Sequence, residues 1–213
     1  MKVSVIIRCR NEEEHIGLAI QSVIDHFKNP EIIIIDNQST DESMKIVSLF
    51  DRHDIRRYSL NGNYTPGKAL NFGVEKANND TILVLSAHSQ ITTLDIEMLN
   101  QWFRKGHVAV FGNQTPIYKG KKISKRYIWS HFKEDHIVNM FSKIENRQFL
   151  HNAFCFYNRQ FLLDNPMPEQ YAGKEDRYWA IDIVNKGYNY FYDSTHKINH
   201  FYTSNGATWK GIG

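Results

Sequence analysis

Cysteine, net charge and long hydrophobic runs are what this chain of 213 residues has least of. Two cysteines, Cys9 and Cys155, cannot build a disulfide framework, and with no export signal beside them they read as reduced, buried thiols. No apolar stretch reaches the roughly 20 residues that cross a bilayer. The opening run MKVSVIIRCRNEEE is cut by an arginine before it can serve as a secretory signal. A soluble, cytoplasmic chain is therefore the expectation. The formal charge of +3 gives no reason to expect a nucleic-acid partner.

What the chain does have is EIIIIDNQSTD, residues 31–41. Four isoleucines that end in a carboxylate, an amide and two hydroxyls read as a strand buried on both faces that stops at a polar edge. Ser39 with Glu42 three residues later has the form of a capping box, so a helix should follow and return Met44, Ile46, Val47 and Phe50 over the sheet. A second such strand, TILVL at 81–85, ends in Ser86-Ala87-His88-Ser89. Ligands of open α/β sheets lie outside the carboxyl ends of the strands, which places Asp36, Asn37 and these later polar residues at the expected site.

Around these two strands the pattern alternates. Residues 3–7 predict a strand, and Asn11 with Glu12, Glu13 and Glu14 predicts the cap and first turn of a helix to about residue 27. Residues 55–60 predict a weaker strand, 68–77 a helix, 93–104 a helix and 108–111 a strand. The expectation is an α/β fold: one Rossmann-like domain over 1–213 with a mainly parallel central sheet flanked by helices and right-handed crossovers. Beyond residue 118, lysines and arginines interleave with Tyr118, Tyr127 and Trp129, and a helix is expected on to about residue 141. Residues 152–161 read as strand then helix, 175–185 as helix and 188–192 as strand.

VSVIIRCRNEE, IIIIDNQSTDES, PGKALNFGVEKA, the polar tip after TILVLS and a later GKEDRYWA, in this order, resemble the family-2 glycosyltransferases with the GT-A fold. The resemblance implies an inverting transfer of a sugar from a nucleotide donor to a hydroxyl, with a donor-binding half over 1–115 and an acceptor-binding half with a C-terminal lid over 116–213. It assigns Arg8, Arg10, Glu12, Asp36, Asn37, Lys68, Ser86 and Lys210 to the donor. Arg8 and Arg10 stand where the family usually has smaller and aromatic groups, and a guanidinium can stack on a base or clamp a phosphate. Asn37 stands where the family has a second aspartate, and its amide suits either uracil or cytosine.

The family's Asp-X-Asp, which holds a metal and the donor phosphates, is here Ser86-Ala87-His88. A divalent cation, Mn or Mg, is the implied cofactor, with His88 and His200 as its ligands; a neutral imidazole suits Mn²⁺ better than Mg²⁺. The competing account is a metal-independent transfer from a CMP-linked sugar, its single phosphate neutralised by Arg8, Arg10 or Lys210. In GKEDR the resemblance makes Asp176 the base that takes the acceptor's proton, with Glu175 beside it. The implied partners are a nucleotide-sugar donor and a glycan or lipid-linked acceptor, in surface polysaccharide or glycolipid synthesis. Peripheral association at the inner membrane face is expected from the basic, aromatic stretch. A catalytically silent nucleotide or glycan binder is the alternative from another class.

Overall fold

The computed structural model describes residues 1–60, 62–123, 126–171, 173–204 and 206–209. β1 (Val3–Cys9) pairs in parallel with β2 (Glu31–Asp36), which pairs in parallel with β3 (Ile55–Ser59). On its other side β1 pairs in parallel with β4 (Thr81–Ser86). The isoleucine strand and TILVL thus run in one direction, and their polar ends come out at one edge. The register sets Cys9 beside Asp36 and Arg8 beside Ser86.

Strand periodicity accounts for the layers. Ile32 and Ile34 pack with α1 (Ile16–His26) and α2 (Ser43–Ser48), while Ile33 and Ile35 pack with α3 (Pro66–Lys76) on the opposite face. All four are fully buried, each worth about 1.5–3 kcal/mol relative to exposure. Pro66 is tolerated in the first turn of α3, where Thr65 caps the helix by accepting from the Lys68 N–H at 3.2 Å.

After β4 come β5 (Ser89–Thr93), α4 (Ile96–Arg104), β6 (Ala109–Tyr118) and β7 (Lys121–Lys122). A 3-10 turn at Tyr127–His131 leads to β8 (His136–Val138), then to the small hairpin of β9 (Phe141–Ser142) and β10 (Arg147–Gln148). β11 (Phe154–Asn158), α5 (Arg159–Asp164), α6 (Glu175–Asn185) and β12 (Tyr190–Phe201) complete the order. The main sheet runs β3-β2-β1-β4-β11-β6-β12-β5. β11 lies antiparallel between β4 and β6, so strands from both halves of the chain share one sheet.

Four expectations are corrected. Ser39 does not cap α2: its hydroxyl donates to Asp36 Oδ1 at 2.6 Å, and Asp41 accepts the Ser43 N–H at 3.0 Å instead. α1 starts at Ile16, because Asn11 adopts φ 53° and uses its side chain to accept the Thr40 N–H at 2.8 Å. The helix expected between residues 118 and 141 is absent from the described residues; Trp129 is buried against Trp209, and this packing overrides local propensity. Finally, β5 replaces the expected start of α4, which is capped by Asp95 through the Met98 N–H at 2.9 Å.

Candidate active site

The ends of β1, β2 and β4 open on a cleft of about 430 Å³. Arg8, Arg10, Glu12, Asn37, Ser86 and His88 line it at the strand tips, together with His151, Asn152, Glu175 and Asp176. Because β11 is antiparallel to β4, its entry lies at the same edge as the exit of β4, and the Ser86 N–H donates to the Ala153 carbonyl at 3.0 Å. This topology brings residues 151–153 to the strand tips. The first turn of α6 supplies the two carboxylates.

Both oxygens of Asp176 are held by backbone. Oδ2 accepts from the Asn152 N–H at 3.1 Å and Oδ1 from the Arg177 N–H at 2.7 Å. These bonds favour the carboxylate, but burial outweighs them and its pKa is raised. Burial, with Asp176 alongside, raises Glu175 as well, although Arg8 opposes the shift. Arg8 Nη2 lies 3.4 Å from Glu175 Oε1, while Glu175 Oε2 is buried without a hydrogen-bond partner. Thus the cleft holds two carboxyl groups at the start of a helix, with a guanidinium on one of them.

Behind His88 lies a histidine cluster. His88 Nδ1 is 3.0 Å from Glu12 Oε1, and its ring stacks on that of His200 with centroids 4.9 Å apart. His200 Nδ1 bonds to Gln114 Oε1 at 2.8 Å, and Gln114 Nε2 donates to His151 Nδ1 at 3.0 Å. This amide orientation puts the proton of His200 on Nδ1 and that of His151 on Nε2. Burial lowers His151 to about 4 and His200 well below its ordinary value, so both are neutral.

These residues do not fit a metal centre. His88 and His200 lie face to face at 24° and each commits Nδ1 to a neighbour, which leaves one ring nitrogen apiece, that of His200 buried without a partner; two such nitrogens fall short of a metal's ligand set. Among the described residues no group of three or more His, Cys, Asp or Glu is placed to hold a metal.

Four other expected site residues are placed as follows. Asp36 is not in the cleft lining; its carboxylate accepts from the hydroxyl and N–H of Ser39 and shapes the turn after β2. Lys68 sits in the first turn of α3, also outside the lining. His200 is buried beneath His88 rather than exposed to the cleft. Lys210 lies outside the described residues.

Sequence reasoning did not single out His151, Asn152, Tyr64 and Thr208, which line the cleft too. A polar pair before the apolar FCFY run was the available signal for the first two; Tyr64 comes from a loop and Thr208 from a short 3-10 turn, neither with a pattern of its own.

Comparisons with known proteins agree with this architecture. The family model described as Glycosyl transferase family 2 matches residues 4–164. A Campylobacter jejuni protein named GalNAc(5)-diNAcBac-PP-undecaprenol beta-1,3-glucosyltransferase is 27% identical over 188 residues, 84% of this chain and 59% of its own length. The chain therefore spans about three fifths of that relative.

Among solved structures, S. aureus TarS 1-349 in complex with UDP-GlcNAc superposes with a TM-score of 0.73 at 20% identity, over 100% of this chain and 62% of that one. GalNAc-T7 with UDP, GalNAc and Mn2+ gives 0.71 at 13% identity, over 97% of this chain and 45% of that one. Both likenesses are of fold. With the match over residues 4–164, the chain belongs to glycosyl transferase family 2.

Proposed function

We propose that this chain transfers a sugar, with inversion, from a nucleoside diphosphate donor to the hydroxyl of a glycan or lipid-linked acceptor, in surface polysaccharide or glycolipid synthesis. The observation that carries the reading is the position of Asp176. Its carboxylate lines the same cleft as the tips of the parallel strands, anchored by two backbone N–H groups. The UDP-GlcNAc bound to TarS favours a uridine nucleotide, and the name of the Campylobacter relative favours an acceptor carried on a polyprenyl diphosphate.

In this reading Asn37 and Glu12 meet the nucleoside at the strand tips. Arg8 and Arg10 face the phosphates. The acceptor oxygen attacks the anomeric carbon from the side opposite the leaving group and gives its proton to Asp176. As the new carbon–oxygen bond forms, the bond to phosphate breaks, and its electron pair leaves on the diphosphate. Negative charge grows there, where a guanidinium favours the transition state over the ground state. A raised pKa makes Asp176 the stronger proton acceptor. No step is routed through a metal, since no group of three or more His, Cys, Asp or Glu is placed to hold one among the described residues.

The test is Asp176→Asn in the full chain. Donor binding should stay within about twofold, while turnover falls by about 10²–10⁴-fold. Unchanged turnover would overturn the assignment. Loss of turnover in the wild type itself, with donor still bound, would make the chain a silent binder. Titrating UDP with and without Mn²⁺ checks the metal-free account, which expects equal affinity.

A further inference from the structure

Of the nine large hydrophobic side chains exposed among the described residues, four lie within 18 consecutive positions: Tyr127 at 43%, Val138 at 49%, Phe141 at 49% and Ile144 at 64%. Phe141 and Ile144 stand on the β9–β10 hairpin, with exposed Lys143 between them. The hairpin is no loose flap. Glu145 in its turn accepts from Tyr127 Oη at 2.9 Å and from Arg177 Nη2 at 2.8 Å. Arg177 directly follows Asp176, so the hairpin is bonded to the helix turn that carries the proposed base.

Charge in this region is one-sided. Residues 118–148 contain eight Lys and Arg against three Asp and Glu, a formal +5, where the whole chain is +3. The remainder of the molecule is thus net acidic.

We infer that the β9–β10 hairpin is a membrane-contacting element: Phe141 and Ile144 enter the interface of an anionic bilayer, and exposed Lys143 between them meets the headgroups. Apolar tips flanked by lysine suit this occupant for a physical reason. Lys and Arg draw the surface to within a Debye length of anionic lipid, and the side chains that cross the headgroup layer then gain burial that water denies them. A protein partner of acidic character would satisfy the charge but needs no exposed isoleucine at a hairpin turn. The inference deepens the proposed function, on which it rests for its purpose: an acceptor emerging from the bilayer would meet the protein at a hairpin bonded to Arg177, the residue after Asp176.

Sedimentation of the full chain with vesicles tests this without any sugar donor. On vesicles of phosphatidylglycerol and phosphatidylcholine, the wild type should bind at low salt and weaken about tenfold at about 0.5 M salt. Phe141→Ser with Ile144→Ser should weaken binding by about tenfold or more, with an unchanged circular dichroism melt. Failure of the wild type to sediment at low salt, or equal binding by the double variant, would overturn the inference. Transfer to a soluble acceptor by a protein that ignores vesicles would remove this surface and leave the reaction. Vesicle binding by a protein without transferase activity would do the reverse.

Discussion

The backbone N–H of Asn152 donates to Oδ2 of Asp176 across 3.1 Å, joining the entry of β11 to the start of α6. A carboxylate fixed in this way cannot rotate away from the strand tips without giving up a half-buried bond. That fixed geometry has a pH signature. Burial leaves Asp176 with a raised pKa, and Glu175 beside it is raised too, so the pair titrates together. A base works only when ionised. Activity should therefore rise with pH through the folded-state value and level off above it, with the acid midpoint of kcat/KM above the ordinary aspartate value of about 3.9. For stability the sign is opposite, since raised carboxyl groups favour the fold most below the unfolded pKa and lose that contribution as pH rises. An acid midpoint at or below about 3.9 in the pH–rate profile would contradict the assignment.

Removing the guanidinium from Arg8 should show its dependence on Glu175. Arg8→Met leaves the buried Glu175 carboxylate without its cation, so at about pH 7 unfolding in urea should report a loss of about 2 kcal/mol. Near about pH 5 the loss should shrink, because Glu175, already raised by burial, takes up a proton when its partner is gone. An equal loss at both pH values would mean that Arg8 contributes packing rather than charge.

The legible parts of this molecule are the parts whose neighbours are uniform. Four β-branched isoleucines in a row, too few for a helix, read as a doubly buried strand, and their abrupt polar ending marks an edge; hence β2, β4 and most of the strand-tip lining of the cleft could be read from sequence. β5 could not, because SQITT has neither a continuous apolar run nor clean alternation, and its position depends on pairing with β12 more than 100 residues later. His196 and His200 were separated by the same long-range order. His196 turns to Asp193 and the Asp95 N–H, whereas His200 joins His88. Asp36 shows the limit of a motif: its place at the strand tip was readable, but not that Ser39 takes both of its oxygens.

Gly67 is required by a close approach that the sequence conceals. A Cβ there would come within 2.3 Å of the Pro168 carbonyl oxygen, which is backbone and cannot swing aside. Gly67→Ala should cost about 1–3 kcal/mol in urea unfolding and push residues 166–169 off α3, with loss of the Asn71 bonds to Met167. Gly73→Ala is the informative contrast. Its Cβ would meet the Ile6 side chain at 2.7 Å, which can shift, so a smaller loss is expected. Equal losses would show that the 166–169 segment yields as readily as a side chain.

The buried histidines make stability fall in mild acid. Burial first, and then the neighbouring His88 and His151, hold His200 well below its ordinary value of 6.5, so the folded chain refuses a proton that the unfolded chain accepts. Where the unfolded state binds more protons, stability rises with pH. His200 therefore stabilises the fold fully above about pH 6.5 and progressively less as pH drops toward its folded value, by up to about 1.4 kcal/mol per pH unit. His151, lowered to about 4, acts with the same sign, and the raised Glu175 and Asp176 oppose both. Only a difference between proteins isolates one residue. His200→Gln keeps a donor for Gln114 and cannot titrate, so its stability should decline less steeply than that of the wild type between about pH 6.5 and about pH 5. Parallel slopes in urea unfolding would mean that His200 accepts a proton in the folded state, and the tautomer set by Gln114 would then be wrong.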